Sequence, residues 1–530
     1  MFYFRENMLK TALISVLLFI LLAPVHSGAA SGEDCRFRFS LGTEPPTLDP
    51  SLATDGTSIL VIENLMEGLT QFDQNLLPVP AVAKKWEVSK DGKTWLFYLR
   101  EDVHWSDGKK VTADDFEYSW KRLLNPETAS EYAYFLYDLE NAEAYNQKKI
   151  SGQESVGVKA LSPFLLRVRL VKPVVYFPSL TAFSGTVPLR RDLIEKYGDH
   201  WTDPEKMVVN GPYRLKEWRH EYKLTLEKNR AYYGGEVLCG TVEAFIINER
   251  STALTLYETG SLDMVFLTPE AIPSYRNDRE YVNQPLLRGY YYGFNTRVPP
   301  FNDSRVRRAF SMAIDRSELP RILSGGEVPA KSWIPPGMFA HDPSIGLDFN
   351  PMEAARQLAE AGYPGGKRFP SVRLAFNTDA VNGLVAENIQ AQIKRNLNIT
   401  LSLDNMEWKV YLKKLQLDTP AVFRLSWGAD YPDPDNFMNL FITGGGNNHT
   451  GWGNPRYDRL ISEAAADPDP ASRRSKYGEA QKILTETDAA IIPLFFSAQN
   501  LLVRRNVHGF IPNAMELFSF KTVWKGDQER

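Results

Sequence analysis

The sequence predicts an α/β protein of two lobes, on three observations. Strand-like and helix-like patterns alternate along the chain, as in a sheet covered by helices. Its 530 residues exceed what one hydrophobic core supports, since cores stop growing near ~250–300 residues. No Gly/Ser-rich linker, repeat or low-complexity stretch separates the halves. Strands themselves are therefore expected to cross between the lobes and act as the hinge of a closing cleft.

The elements follow in order. Residues 36–41 (RFRFSL) alternate apolar and polar, a half-buried strand. Three prolines in residues 42–50 forbid regular structure next. Ile59, Ile62, Leu65, Met66 and Leu69 fall on one face of a helix over 58–69. Strands at 86–89 and 94–99 flank Asp91-Gly92, a hairpin signal. Thr112 with Asp114 and Asp115 reads as a helix start, the helix running to just before Pro126. Strands are expected at 165–171, 223–227, 243–247 and 290–294. About half of Tyr290, Tyr291 and Tyr292 should face the core. Helices are expected at 304–314, 352–361 and 383–396, with strands at 372–377 and 399–403. A helix at 472–486 and extended runs at 491–496 and 501–504 end the chain.

Composition narrows the function. Hydrophobic residues at 43% and charged residues at 24% are ordinary for a globular protein. A formal charge of -4 carries no basic excess, which argues against nucleic acid as a partner. Aromatics at 12% suit a binding cleft as well as a large core.

Arg5 and Lys10 precede the apolar run 11–25, and Ser27-Gly28-Ala29-Ala30 follow it. This is the pattern of a secretory signal cleaved after Ala29 or Ala30, and the run is short of the ~20 residues a membrane span needs. An exported chain permits a disulfide between Cys35 and Cys239. Free buried thiols, or a lipid on Cys35, are the alternatives; Gly-Glu-Asp before the cysteine argues against the lipid.

Catalytic signatures are missing from the sequence. There is no Gly-x-Ser-x-Gly elbow, P-loop or Gly-x-Gly-x-x-Gly fingerprint, and the seven histidines show no zinc spacing. The expectation is a binding protein without cofactor or metal.

Several stretches resemble the dipeptide- and oligopeptide-binding proteins of bacterial ABC importers, solute-binding protein family 5. They are Glu44-Pro45-Pro46-Thr47-Leu48-Asp49-Pro50, the run from Trp105-Ser106-Asp107-Gly108 to Trp120, Asn210-Gly211-Pro212-Tyr213, and Tyr290-Tyr291-Tyr292-Gly293-Phe294-Asn295. Trp427-Gly428-Ala429-Asp430-Tyr431-Pro432-Asp433-Pro434, with Asn436-Phe437, and Gly451-Trp452 complete the set. Lys110 stands where the family has proline.

The resemblance implies a type II two-lobe periplasmic binding protein fold with an extra inserted domain. On that pattern residues 1–30 are the signal. Residues 31–57, 181–284 and 502–530 form the sheet domain of lobe 1, residues 58–180 its inserted subdomain, and 285–501 lobe 2. It also implies a monomeric, non-enzymatic periplasmic protein that captures short peptides and delivers them to a membrane permease. The peptide would lie extended as an added strand, with Trp427, Gly428 and Ala429 on one edge and Glu44 and Pro45 on the facing rim. Asp430 would take the peptide α-ammonium, which needs a charged acceptor once out of water. Arg424 would meet its carboxylate. Asp430 read alone is also an ordinary loop acid, and Asp433 and Asp435 read as turn-forming acids. A nickel chelate, haem, sugar or opine ligand, or a periplasmic chaperone, are the alternatives to peptide import.

Overall fold

The computed structural model describes residues 35–526. The expected signal at 1–30 lies outside the described residues. One mixed sheet of eleven strands runs through both halves of the molecule. In the first half, Tyr213–Arg219, Lys223–Lys228, Thr241–Ile246, Arg36–Gly42 and Met264–Phe266 lie side by side. In the second, Val422–Gly428, Val372–Asn377 and Leu401–Met406 do. Between them stand two long antiparallel strands, Tyr281–Phe294 and Ile491–Val503. Met264–Phe266 pairs with Leu501, Leu502 and Val503, while Val422–Gly428 pairs with Arg288 to Phe294. The two long strands thus cross from one lobe to the other. Their register breaks between Pro285 and Gly289, where proline removes a ladder donor.

The first lobe has one continuous core, from Phe37 and Phe39 through Trp105, Trp120 and Phe177 to Phe518, Phe520 and Val523. It includes a four-stranded sheet of Ala83–Val88, Thr94–Leu99, Leu165–Arg169 and Val158–Ser162. The expected boundary between residues 57 and 58 falls inside the helix Gly56–Leu65, which packs beside Tyr213–Arg219. A helix is a rigid unit, so a boundary at residue 57 would cut through it.

Local signals account for many elements. Thr112 caps the helix Ala113–Leu124 with a reciprocal capping box to Asp115. Gly92, at φ 71°, makes the hairpin turn expected of Asp91-Gly92. The Asn210-Gly211 pair holds the end of the helix Gly56–Leu65. The Asn210 amide accepts from Glu67 N at 3.0 Å and donates to Glu67 O at 2.9 Å. Gly211 N donates to Leu65 O at 2.9 Å. A Cβ on Gly211 would lie 2.6 Å from the Leu65 carbonyl carbon. Backbone cannot swing aside as a side chain can. Gly211→Ala is therefore expected to destabilise the protein by about 2–3 kcal/mol in urea denaturation; an unchanged midpoint would refute the close approach.

Two expectations are corrected. Tyr290, Tyr291 and Tyr292 are all buried, at 2%, 4% and 1% exposure. Both faces of the sheet are covered here: Tyr290 stacks on Phe495 on one face, and Tyr291 meets Trp333 and Phe441 on the other. The extended runs at 491–496 and 501–504 are one strand, Ile491–Val503. Cys35 and Cys239 form a disulfide, Cα to Cα 4.8 Å. It joins the start of Arg36–Gly42 to that of its parallel neighbour Thr241–Ile246. Free thiols and a lipid on Cys35 are thereby replaced.

Candidate ligand-binding cleft

The strand Val422–Gly428 carries most of the expected site. Ala429 N donates to Leu287 O at 2.8 Å, and Asn295 N donates to Ala421 O at 3.0 Å. The alternation of an antiparallel ladder therefore turns the backbone groups of Arg424, Ser426 and Gly428 towards the other edge. There Val372–Asn377 pairs no further than Phe423. The Tyr411 hydroxyl takes both backbone groups of Arg424, at 3.0 Å from N and 2.6 Å from O. Ser426 and Gly428 are left facing the cleft, an open edge of the kind that accepts an added strand.

Two adjoining cavities follow this edge. One, of about 440 Å3, is lined by Gly428, Ala429 and Asp430 from lobe 2 and by Ser40, Leu41 and Gly42 from lobe 1. The other, of about 390 Å3, is lined by Arg424, Ser426, Tyr290 and Asn377. Arg250, Phe266, Arg288, Gln499 and Glu516 line both. The Arg288–Glu516 ion pair, at 2.7 Å, stands between them.

Asp430 is positioned by Asn436. The Asn436 Oδ1 accepts from Asp430 N at 3.0 Å and from Trp427 Nε1 at 2.9 Å, while its Nδ2 donates to Asp430 Oδ2 at 3.3 Å. The Tyr132 hydroxyl also bonds to the carboxylate. Burial pushes the carboxyl up to about 6, against the pull of these donors. Among the described residues no cation pairs with Asp430. Arg424 is the mirror case. Its guanidinium sits 4.4 Å over the Tyr290 ring and donates to Asn377 Oδ1 at 3.1 Å and Ser426 Oγ at 3.3 Å. Its buried Nε has no partner, and no carboxylate among the described residues pairs with it.

The other expected residues are placed differently. Trp427 lines a smaller cavity of about 210 Å3 with Tyr134, Phe135, Tyr176 and Tyr431. Glu44 and Pro45 line none of the three cavities. Glu44 accepts from Trp218 Nε1 at 2.9 Å, His220 Nδ1 at 2.6 Å and Glu221 N at 3.0 Å. Its carboxylate is spent on that loop, while Ser40 to Gly42 line the cavity on the lobe 1 side. Asp433 is ion-paired with Arg473 at 2.6 Å and accepts from Asp435 N at 2.9 Å, as a turn-forming acid does. Sequence reasoning missed Tyr132, Arg250, the Arg288–Glu516 pair and Glu63, which lines the larger cavity. Of these only Glu63 left a signal, an acid inside the apolar stripe of its helix.

A cleft between two lobes, joined by crossing strands and lined by unpaired charges, defines a ligand-capturing receptor. The family model described as bacterial extracellular solute-binding proteins, family 5, matches residues 78–449, and the chain belongs to that family. It is 34% identical to the oligopeptide-binding protein OppA of Bacillus subtilis over 90% of this chain and 91% of that one. Among solved structures it resembles the unliganded open form of the periplasmic murein tripeptide-binding protein MppA. The TM-score is 0.81, with 32% identity over 93% of this chain and 98% of that chain. It also resembles Haemophilus influenzae OppA in complex with RPPGFSPFR, at a TM-score of 0.76 and 29% identity, covering 93% and 99%. No helix among the described residues is long and apolar enough to cross a membrane, and no group of His, Cys, Asp and Glu among them could hold a metal ion.

Proposed function

We propose that this protein is an exported, non-enzymatic receptor that captures short peptides outside the cytoplasmic membrane and passes them, as a monomer, to the permease of an ABC importer. The observation that carries the reading is an unpaired acid and an unpaired arginine, at opposite ends of one open strand edge inside the cleft. A peptide supplies what each lacks. Its α-ammonium answers Asp430, its carboxylate answers Arg424, and its backbone pairs with Ser426 and Gly428. Backbone pairing reads all peptides alike, which gives affinity with little side-chain choice.

Strand geometry bounds the length. Arg424 and Asp430 are six residues apart, roughly 15–20 Å at ~3.3 Å per residue. An extended peptide spanning that distance has about five or six residues, and the reach of the Arg424 and Asp430 side chains into the cleft shortens it to about three to five. Lobe 1 is residues 35–65, 181–284 and 502–526 around the large sheet, with the inserted four-stranded sheet between; lobe 2 is residues 285–501. Closure rotates the halves about the crossing strands near Pro285 to Gly289.

Thermal melting with di- to pentapeptides, sugars and metal ions tests the reading. A ligand at a hundred times its Kd adds ~2.7 kcal/mol of stability, so tri- to pentapeptides are expected to raise Tm by several degrees. Shifts from sugars or metals, with none from any peptide, would sink the proposal. Native mass spectrometry of the freshly purified protein should show co-purified peptide.

A further inference from the structure

Glu63 stands apart from the charges already assigned. It sits on the helix Gly56–Leu65, four residues after Ile59, and both line the 440 Å3 cavity with Asp430. Residues i and i+4 share a helix face, so the acid interrupts an apolar stripe where that stripe meets the cleft. Its neighbour Glu67 is fully engaged: the Tyr232 and Tyr233 hydroxyls donate to it at 2.5 and 2.6 Å, and Lys521 Nζ lies 3.8 Å away. Glu63 has no hydrogen bond or ion pair among the described residues.

Glu63 is half-buried, and a carboxylate partly withdrawn from water without a cation is costly. Burial and the charge of Glu67 push Glu63 up to about 8. The other charged and titratable groups around the cavity are Asp430, Tyr132, the Arg288–Glu516 pair and Arg250. None of them pairs with Glu63. Leu41, Ile59, Phe183, Phe266 and Phe518 supply apolar wall to the same cavity. Apolar wall ending at an acid fits a long aliphatic stem with a positive tip.

We propose that Glu63 and this wall form a side-chain subsite for a cationic residue, lysine-like or arginine-like, of the captured peptide. The assignment rests on the peptide-capture reading and adds a preference to it. In the empty subsite, burial and the nearby Glu67 charge favour the protonated form of Glu63. A cationic side chain stabilises the carboxylate and expels that proton to solvent, so the exchange balances in charge.

Calorimetry with tripeptides settles it. Trialanine is compared with versions carrying lysine, or norleucine, which has the same four-carbon stem without the ammonium, at each position in turn. Norleucine keeps the α-ammonium that Asp430 takes, so the comparison reads the side-chain ammonium alone. At one position, lysine is expected to bind wild type about tenfold more tightly than norleucine. In Glu63→Gln that ratio falls to about one, and in Glu63→Asp part of it returns. Titration at pH 7 in buffers of different ionisation enthalpy should show extra proton release for the lysine peptide with wild type only. Equal binding of lysine and norleucine peptides at every position by wild type, or a preference that survives Glu63→Gln, overturns the subsite while leaving peptide capture intact. Wild type that binds none of the peptides overturns both.

Discussion

Asp430→Asn is expected to weaken binding of peptides with a free amino terminus by about a hundredfold while stabilising the empty protein. The loss follows from chemistry. A buried ammonium facing a carboxylate makes a charge-assisted hydrogen bond, and facing an amide it does not. About 2–3 kcal/mol of lost interaction corresponds to roughly a hundredfold in Kd. N-acetylated peptides, which carry no such charge, should bind wild type and variant alike.

The gain in stability follows from the carboxyl of Asp430, which burial pushes up to about 6 from the ordinary aspartate range. A group whose folded value lies above its unfolded value contributes stability that is full below the unfolded value and is lost as pH rises through the folded one. Between pH 4 and 6 the wild type therefore loses stability that asparagine keeps. Two units correspond to at most about 3 kcal/mol, and partial contact with water in the cavity reduces this to about 1–2 kcal/mol at pH 7. Affinity has the opposite dependence. The amine needs the ionised carboxylate, so binding is strongest above pH 6 and falls by up to about tenfold per unit below it. Calorimetry from pH 5 to 8 and melting of the empty proteins check both. A variant that matches wild type against free and acetylated peptides removes Asp430 from the site.

The Cys35→Ser, Cys239→Ser double variant is expected to lose about 2–5 kcal/mol of stability with its peptide affinity nearly intact. The bridge closes a loop of 204 residues. Chain entropy assigns about 5 kcal/mol to a loop of that length, and removal of native bridges falls at or below this. The bridge lies at the start of a ladder that pairs Arg36 with Thr241, so it anchors the N-terminal strand to the sheet. The cleft is reached only at the other end of that strand, at Ser40 to Gly42. Denaturation with and without reductant should reproduce the difference in the wild type. A reduced protein as stable as the oxidised one would show that the sheet alone fixes the strand.

Local patterns made much of the fold legible. The strand Val372–Asn377 has the bounds expected from the sequence, and Thr112 caps the helix its acids announce. The long strand Ile491–Val503 reads as two runs in the sequence because Ser497, Gln499 and Asn500 interrupt its apolar residues. They are polar because they line the cavity around Arg424. Likewise the alternation of three tyrosines reveals a strand but not that both of its faces are covered.

Sequence by itself determined the α/β class, because propensity, turns and period depend on near neighbours, and its resemblance to family 5 singled out the stretch from Arg424 to Asp430. Tertiary structure alone decided which acids are free. Glu44 is consumed by Trp218, His220 and Glu221, and Glu67 by two tyrosines, while Asp430 and Glu63 are left unanswered in the cleft. The pairing of a charge depends on what distant segments bring within about 4 Å, and no local pattern encodes that distance.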